Sequence, residues 1–554
     1  MILCLACVAT VIPMTLVNAT AAESTVWDGT KATKFAGGTG TEADPYQISN
    51  AQELAYFLDH ITKTYAERSK YYCLTDDIYL NDIANYSEWT ATTTGLNEWT
   101  PLSSATAQFM GKFDGQNHTV YGMYITKSTS WTGLFGFFNG ATVKNLNVAS
   151  SFISAPIAAN NGVGGIVGKM TGASLIENCT ADVKIVLTNL PASISVGGIA
   201  GAAMNGSTIR NCANRGDISV TATGSNVQVG GISGGANAQP TAVTTTIAQC
   251  YNLGDITASK VKGVGGILGF NGWNSTLGRI DLFNCYNYGT VSGLDANVPT
   301  GGIVGYSRIS FQATNCFNIG AVIGSANYTK QIIGQAWANT GETVVASLVG
   351  CYSNSDLNID ACAAANTSAD ANTKALSYEN GEFVAENMTA LSADAWNLAD
   401  GRMPTLKNTK SMFKLVVLGA QIRENATEFY DGDTKVAEGQ GIRFGVAIRN
   451  ADGLVEADAL KAGYSAGIVI TIAGSNGSQT INASKTLAYD AKTNSLIFTG
   501  YLVGIGSDYF DTTFEATGFI QNGADRWESD AYGRSIRDVA EALGKTLDAD
   551  GNLI

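Results

Sequence analysis

The chain has 554 residues, a length that indicates several domains or one long repeat array rather than a single compact core. Only 14% of the residues are charged, and the net charge of −14 disfavours nucleic acids and anionic membranes as partners. The sequence has two histidines, His60 and His118, which argues against a histidine-rich metal centre and leaves few candidates for a Ser-His-Asp triad.

The first 22 residues, MILCLACVATVIPMTLVNATAA, have the apolar run and the small-residue end of a secretory signal peptide. The basic start of such peptides is missing, because no Lys or Arg precedes Lys31; a start further upstream is one explanation. A transmembrane anchor is the alternative, although the run is short and contains Pro13. We therefore expect an exported, extracellular or cell-surface chain with no stable membrane insertion after cleavage.

A short amphipathic helix is predicted before the repeats begin. Asn50 and Glu53 have the spacing of a helix capping box, and Leu54, Leu58 and Ile61 fall on one helical face. Such a helix could cover the open end of a β-stack and so protect an edge that would otherwise aggregate.

The middle of the chain repeats a unit of about 33 residues, a period typical of solenoids. A VGGIxG-like stretch recurs with steps of 33, 33, 35 and 36 residues at the glycines Gly165, Gly198, Gly231, Gly266 and Gly302. A cysteine recurs with steps of 33, 38, 35, 31 and 35 residues at Cys179, Cys212, Cys250, Cys285, Cys316 and Cys351. With the variant GLFG at 133–136 and QIIGQ at 331–335, this makes about seven units.

The residue types favour β-strands over helices, because each unit carries Val, Ile, Thr and Gly in short runs separated by Asn-Gly and Gly-Asp turn signals. One unit fits one coil of a right-handed parallel β-helix, with coils about 4.8 Å apart. Residues one repeat apart should then stack, which predicts a buried ladder of valines that starts at Val163 and one of isoleucines that starts at Ile166. Val and Ile three positions apart cannot share a face of an unbroken strand, so we expect a corner at the Gly-Gly pair.

The GLFG stretch followed by VGGIxG and xxNCxNxGxI units resembles the GLUG-motif repeats of large bacterial secreted and surface proteins, which include adhesins and an accessory region of some IgA-type peptidases. The resemblance covers about residues 130–355. It implies a β-helix and a location outside the cell, and it implies no catalytic residue.

From about Met412 the pattern changes to strands such as FKLVVLGAQIR, GIRFGVAIRN and AGIVITIAG, which favour a β-sandwich-like domain. A final helix is expected in YGRSIRDVAEALGKTL, with Ile536, Val539, Ala540 and Leu543 on one side. This part resembles, more loosely, a C-terminal module of clostridial-type extracellular proteins.

The repeated Cys and Asn positions have structural interpretations. Parallel stacked cysteines point alongside one another rather than converge, which favours reduced, buried thiols over disulfides. The CxxC pairs of a metal array are missing, and we expect no metal and no cofactor. A stacked ladder is also predicted for the asparagines two residues after four cysteines: Asn214, Asn252, Asn287 and Asn318.

The residue after each cysteine becomes aromatic towards the end of the array. We identify a candidate ligand-binding stripe at Tyr251, Tyr286, Tyr288, Phe317 and Tyr352. If the cysteines face inward, the rings face outward and could stack on sugar rings or contact a protein. Two alternatives stay open: the turn after the asparagine could bury the rings in the core, or the C-terminal domain could dock on them.

Asp217 and Asp255 occupy one position of adjacent coils, and stacking would bring their carboxyls to about 5 Å, near the separation used by retaining glycosidases. The alternative is a pair of solvated turn residues, with Lys184 one coil earlier as a surface partner of Asp217. A third acidic or basic residue beside the pair, and a cleft around it, would distinguish the two.

The sequence thus predicts an all-β, non-enzymatic, adhesin-like protein that presents a rigid β-helix to glycans or to host or partner proteins. A polysaccharide-active enzyme that uses Asp217 and Asp255, and a purely architectural spacer, are the alternatives. The expected divisions are a signal peptide at 1–22, a cap with the first coils at 23–130, the repeat β-helix and its closing segment at 131–410, and the C-terminal domain at 411–554.

Overall fold

The computed structural model describes residues 26–554 apart from 102–107, 129, 238–242, 273–278, 310, 338–345, 363–365, 424–428, 432–433, 438–440, 457–458, 473–477, 483–487, 504, 506, 523–524 and 549–553. The signal peptide predicted at 1–22 lies outside the described residues. The described chain consists of a parallel β-solenoid followed by antiparallel sheets, which confirms the predicted all-β class and the β-helix of about seven repeat coils.

Each full coil passes through four parallel sheets in the same order, and successive coils pair in register. Sheet 1 contains Gly162–Gly164, Ser195–Gly197, Gln228–Gly230, Gly263–Gly265, Thr300–Gly301 and Thr329–Lys330. Sheet 2 contains Phe135–Asn139, Val167–Thr171, Ala200–Met204, Ser233–Asn237, Leu268–Asn271, Val304–Ser307 and Ile333–Ala336.

The other two sheets extend beyond the repeats at the N-terminal end of the solenoid. Sheet 3 contains Tyr46–Ile48, Tyr71–Leu74, Lys112–Asp114, Thr142–Lys144, Leu175–Glu177, Thr208–Arg210, Thr244–Ala248, Arg279–Phe283, Phe311–Thr314, Ala346–Val349 and Thr367–Ala369. Sheet 4 contains Ile78–Tyr79, Thr119–Tyr121, Tyr124–Ile125, Asn147–Ile153, Thr180–Leu190, Ala213–Asn214, Ile218–Ala222, Tyr251–Asn252, Ile256–Ser259, Tyr286–Asn287, Val291–Gly293, Phe317–Asn318, Val322–Ile323, Tyr352–Asn354 and Lys374–Leu376.

The predicted N-terminal helix is Ala51–Lys63, and it packs on the first coils. Asn50 Oδ1 accepts a hydrogen bond from the backbone N–H of Glu53 at 2.9 Å, as a helix cap does. The Glu53 carboxylate accepts from the backbone N–H of Ser49 at 2.7 Å. Phe57 is fully buried, with its ring 4.6 Å from that of Tyr72, so the helix extends the solenoid core at this end.

The predicted valine and isoleucine ladders are present inside the solenoid. Val163 pairs in register with Val196, Val196 with Val229, and Val229 with Val264. The isoleucines three residues later are all fully buried in the same core: Ile166, Ile199, Ile232, Ile267 and Ile303.

The Gly-Gly pairs form the predicted corners, and the structure gives a steric reason for them. A Cβ atom on Gly198 would lie 2.3 Å from the carbonyl oxygen of Gly231, and one on Gly231 would lie 2.1 Å from that of Gly266. Real Cβ atoms do not approach backbone this closely. The glycines are therefore required because the next coil's backbone occupies the space of a side chain.

A second set of corners uses asparagine in a left-handed conformation, and sequence analysis gave this residue no role. The residue before each of four ladder cysteines is an asparagine with φ between 54° and 56°: Asn178, Asn211, Asn284 and Asn315. Asparagine tolerates this conformation better than other non-glycine residues do. The repeated Asn-Cys pair was the sequence signal from which this second set of corners could have been predicted.

The cysteine and asparagine ladders have the predicted structural roles. All six ladder cysteines are free and fully buried. The Asn252 side chain receives a hydrogen bond from Asn214 Nδ2 and donates its own Nδ2 to Asn287 Oδ1, both at 2.8 Å. Asn287 donates likewise to Asn318 at 2.9 Å, so the amides form one continuous chain through the coils.

The C-terminal domain consists of two antiparallel sheets around one apolar core, as predicted for a sandwich-like domain. The first sheet contains Lys414–Arg423, Gly441–Arg449, Ala488–Asp490 and Ser495–Val503. The second contains Tyr464–Ile472, Ser478–Asn482, Phe514–Asn522, Asp525–Glu528 and Tyr532–Arg534. Three further pairs of short strands are Trp396–Asn397 with Thr405–Leu406, Phe429–Asp431 with Thr434–Ala437, and Val455–Glu456 with Ala459–Leu460.

The final helix is Ile536–Ala542, with Ile536, Val539 and Ala540 buried as predicted. The prediction for Leu543 is wrong: this residue follows the helix and is 61% exposed. Single-turn 3₁₀ helices occur at Tyr65–Ser69, Tyr86–Glu88, Ser355–Leu357, Ala451–Leu454 and Ser507–Tyr509.

Candidate functional site

The aromatic residues predicted as a ligand-binding stripe do stack along the solenoid. Tyr251, Tyr286, Phe317 and Tyr352 pair in register on sheet 4. The Tyr251 and Tyr286 rings are 4.8 Å apart and 6° from parallel, and those of Tyr286 and Phe317 are 4.9 Å apart and 5° from parallel. These separations are the spacing of neighbouring strands, so the rings follow the coils one by one.

The stripe is nevertheless covered, and the idea that it is an exposed ligand surface is wrong. Tyr251, Tyr286, Tyr288, Phe317 and Tyr352 are between 0% and 8% exposed. They belong to an apolar cluster separate from the solenoid core, together with closing-segment residues that include Tyr378, Phe383, Met388, Trp396 and Met403. The rings face outward, and the chain's own closing segment and C-terminal domain bury them.

Polar contacts hold this cover in place. The Tyr251 hydroxyl donates to the carbonyl of Lys410 at 2.6 Å and accepts from the backbone N–H of Met412 at 2.7 Å. The Tyr286 hydroxyl donates to Asn450 Oδ1 at 3.1 Å. The predicted docking of the C-terminal domain is therefore present only in part: the closing segment forms most of the cover, and the C-terminal domain adds the contacts of Met412 and Asn450.

Beside the covered stripe, a cavity of about 610 Å³ lies between sheet 4 and the C-terminal domain. The solenoid wall includes Tyr121, Asp182, Lys184, Arg215, Asp217 and Asp255. The opposite wall includes Phe413, Lys414, Trp527, Glu528 and Asp530. The cavity thus combines aromatic rings with charges of both signs.

Arg215 fixes the two walls relative to each other. Its Nη1 donates to Asp182 Oδ2 at 2.8 Å, and both side chains are mostly buried. Its Nε donates to the carbonyl of Phe413 at 3.0 Å, and its Nη2 donates to that of Glu528 at 3.3 Å. One guanidinium therefore bridges two coils of the solenoid and two segments of the C-terminal domain.

Asp217 and Asp255 are brought together in this cavity, as their shared repeat position predicted. The backbone N–H of Asp255 donates to Asp217 Oδ1 at 2.7 Å, and that of Thr290 donates to Asp255 Oδ1 at 2.6 Å. Each carboxylate thus caps the backbone of the next coil. Asp255 also forms an ion pair with Lys414 of the C-terminal domain.

The two acids differ in their electrostatic environment. The enclosing protein around the cavity, and then the charge of Asp255, raise the pKa of Asp217 to about 6. The carboxylate still touches solvent inside the cavity, so it can exchange protons. A basic neighbour and a cleft, the two features that would favour a catalytic interpretation, are both present.

Two other kinds of site have no support in the described part of the chain. No group of three His, Cys, Asp or Glu side chains in these residues could hold a metal ion. None of the described helices is long and apolar enough to cross a membrane.

Comparison with known proteins identifies the repeat. The model of the GLUG motif matches residues 159–186 and 192–221, which are two consecutive coils of the solenoid. These two coils of the β-helix are therefore similar to GLUG-motif repeats. The match covers two coils and leaves the other coils and the C-terminal domain unassigned.

Two curated relatives match part of the chain. Halomucin of Haloquadratum walsbyi is 27% identical over 181 residues, which is 28% of this chain and 2% of halomucin. A candidate Gly-rich membrane protein of Evansella cellulosilytica is 28% identical over 153 residues, 27% of this chain and 16% of that protein. The chain thus matches a small fraction of the length of either relative.

Two solved structures show weaker likeness. A candidate immunoglobulin A1 protease from Bacteroides ovatus is 22% identical with a TM-score of 0.44, over 68% of this chain and 96% of that one. An IgA1 protease is 18% identical with a TM-score of 0.32, over 52% of this chain and 20% of that one. Neither likeness is close enough to bear on function.

Proposed function

We propose that this chain is a non-enzymatic extracellular or cell-surface protein, adhesin-like in character, that binds glycans in the cavity between its β-helix and its C-terminal domain. Its location is supported by the predicted signal peptide at 1–22, by the GLUG repeats and by the names of the relatives, one a halomucin and one a membrane protein. Its acidic composition disfavours nucleic acids as ligands.

The observation that carries the proposal is the cavity itself. Its volume of about 610 Å³ falls in the range of about 300–1,000 Å³ that small-ligand sites occupy. Trp527 offers a half-buried ring surface, and Lys184 and Asp217 offer hydrogen-bonding groups, which is the combination that a sugar ring with its hydroxyls requires. Hydrogen bonds from Arg215 hold both walls in place, so little ordering accompanies binding.

A glycan array probed with the purified protein tests this function. The variants Lys184→Gln and Trp527→Ala each remove a group from one wall, and Lys374→Gln removes an exposed lysine outside the cavity. We expect the wild type and Lys374→Gln to bind the same glycans, and each cavity variant to bind at least one of these glycans at least tenfold more weakly. Failure of the folded wild type to bind any glycan, or equal binding by all variants, would contradict the proposal.

A second candidate function, polysaccharide cleavage, is favoured by the raised pKa of Asp217 inside a cleft. Asp217 would act as the acid and Asp255 as the carboxylate, with one oxygen of each already bonded to backbone. Release of new reducing ends from a bound glycan would favour cleavage over binding alone as the function. This release should be lost in Asp217→Asn and kept in the distant Asp508→Asn. Such activity should fall as the pH rises above about 6, because Asp217 loses its proton.

A further inference from the structure

A second pocket of about 140 Å³ lies on a different part of the solenoid, where sheets 1 and 2 meet, and shares no lining residue with the interdomain cavity. It exists because one row of outward side chains on sheet 2 changes from large to small. Phe137 pairs in register with Lys169, Lys169 with Ala202, and Ala202 with Gly235. The two small residues form the floor of the pocket, Lys169 and Trp131 line one end, and Phe137 lies behind them.

An aromatic and a cationic group define that end. The Trp131 ring lies 4.5 Å from that of Phe137, tilted by 56°, so Phe137 supports the indole. The Lys169 ammonium lies 5.2 Å from the centroid of the Trp131 ring and 5.0 Å from that of Phe137. These cation–π contacts position the ammonium at the edge of the pocket.

The charge of Lys169 is not neutralised by a neighbouring acid. No Asp or Glu is among the lining residues, and within the described chain no carboxylate acts on the charge of Lys169. Burial lowers the pKa of this amine below its ordinary value, and no charged group opposes the effect. In a chain with a net charge of −14, an acid-free pocket with a lone lysine is electrostatically complementary to an anion.

Polar groups on the sheet 1 side suit hydroxyls. Asn161 donates its Nδ2 to the carbonyls of Ala158 and Ala159 at 3.1 and 3.2 Å, an arrangement that leaves its Oδ1 to accept. Ser193, one coil later, lines the same side. A volume well below the about 300 Å³ of a drug-sized site fits a single ring rather than a polymer strand.

We propose that this pocket binds the carboxylated sugar residue of an acidic glycan, with the carboxylate on Lys169 Nζ, the ring against Trp131 and the hydroxyls on Asn161 and Ser193. A hexuronic acid and a sialic acid present the same groups, namely one carboxylate on a hydroxylated ring. This site is independent of the interdomain cavity, so either can be occupied without the other.

Titration calorimetry with matched ligands tests the proposal. The probes are sialyllactose against lactose, and a glucuronic-acid-terminated oligosaccharide against its carboxyl-reduced form. We expect at least one acidic probe to bind at least tenfold more tightly than its neutral partner, and the pair that shows the difference identifies the sugar. Equal affinity within both pairs, or no binding of either acidic probe to the folded protein, overturns the proposal.

Variants separate the charge from the fold. Lys169→Gln should abolish the preference for the acidic probe, Lys169→Arg should keep it, and Trp131→Leu should weaken the acidic and the neutral probe alike. Lys262→Gln is the matched control, because Lys262 is another partly buried lysine over a ring, that of Tyr306, and lies outside the pocket. Unchanged preference in a folded Lys169→Gln variant contradicts the assignment. Lys184→Gln tests the interdomain cavity separately and should leave this binding intact.

Discussion

Arg215 and Asp182 form a mostly buried ion pair with an N–O distance of 2.8 Å, and the same guanidinium donates to two backbone carbonyls of the C-terminal domain. Asp182 and Arg215 occupy neighbouring coils, 33 residues apart. The attachment of the C-terminal domain therefore depends on a contact made inside the repeat array.

Replacing Arg215 by methionine should loosen the C-terminal domain. The change leaves the Asp182 carboxylate buried without its partner, a situation that costs about 3–5 kcal/mol. We expect faster proteolysis between residues 406 and 414 and a lower urea midpoint than in the wild type. The control Arg210→Met breaks the more exposed pair with Glu177, which should cost about 1 kcal/mol or less. Equal effects of the two variants would show that Arg215 does not hold the interface.

Asp217 should make the protein less stable as the pH rises from about 4 to about 6. Its pKa is higher in the folded protein, at about 6, than the ordinary value of 3.8, so the folded state binds the proton more tightly and loses that advantage as the proton leaves. Because the carboxylate touches solvent, we expect the free energy of unfolding to fall by about 1 kcal/mol, which is less than the full pKa shift corresponds to. Urea unfolding of the wild type and Asp217→Asn at pH 4 and pH 7 measures it. If the free energies of unfolding of the wild type and Asp217→Asn differ by the same amount at pH 4 and at pH 7, this prediction is contradicted.

The asparagine ladder should be a major source of stability. Asn252→Ala removes the donor to Gly254 and to Asn287, both at 2.8 Å, and the acceptor of Asn214. Because these groups are buried, we expect a loss of about 2–4 kcal/mol in the free energy of unfolding. Asn372→Ala removes an exposed amide that donates to Asp370 at 3.3 Å, and it should change stability by less than about 0.5 kcal/mol. Similar losses in both variants would show that the asparagine ladder is not a major source of stability.

The ladder cysteines should be unreactive in the folded protein. Full burial keeps a reagent from all six ladder thiols, and it also raises the pKa of the Cys179, Cys212 and Cys250 thiols, which suppresses the reactive thiolate. With a thiol reagent at pH 8 we expect at most the half-buried Cys362 to react in native protein, and all eight cysteines of the described residues to react in urea. Fewer than eight in urea without reductant would reveal a disulfide.

Sequence analysis predicted those features that follow from the repeat period. A fixed spacing places equivalent residues on top of each other, so the valine, cysteine and asparagine ladders followed from counting. Asp182 and Arg215 obey the same period and could have been paired by it. The neighbouring positions of Asp217 and Asp255 were predicted for this reason.

The sequence did not decide what covers Tyr251 and Tyr286, because the covering residues lie outside the repeat period. Trp396 and Asn450 have no repeat equivalents, and their contacts with the stripe span more than a hundred residues. The raised pKa of Asp217 likewise requires the C-terminal domain, which encloses the cavity. The Lys169 pocket arises from one coil with a lysine beside coils with Ala202 and Gly235, a departure from the repeat rather than a part of it.

The hydrogen bonds between the solenoid and its C-terminal domain engage successive coils, at Arg215, Tyr251 and Tyr286. The C-terminal domain therefore fits one fixed spacing of these three residues along the solenoid. Gain or loss of one repeat unit between Arg215 and Tyr286 would shift the later residues by about 4.8 Å along the stack, and their hydrogen bonds to the domain would break. A unit gained or lost before Asp182 would leave those contacts in step, so tandem duplication can change the length of the array there without breaking them.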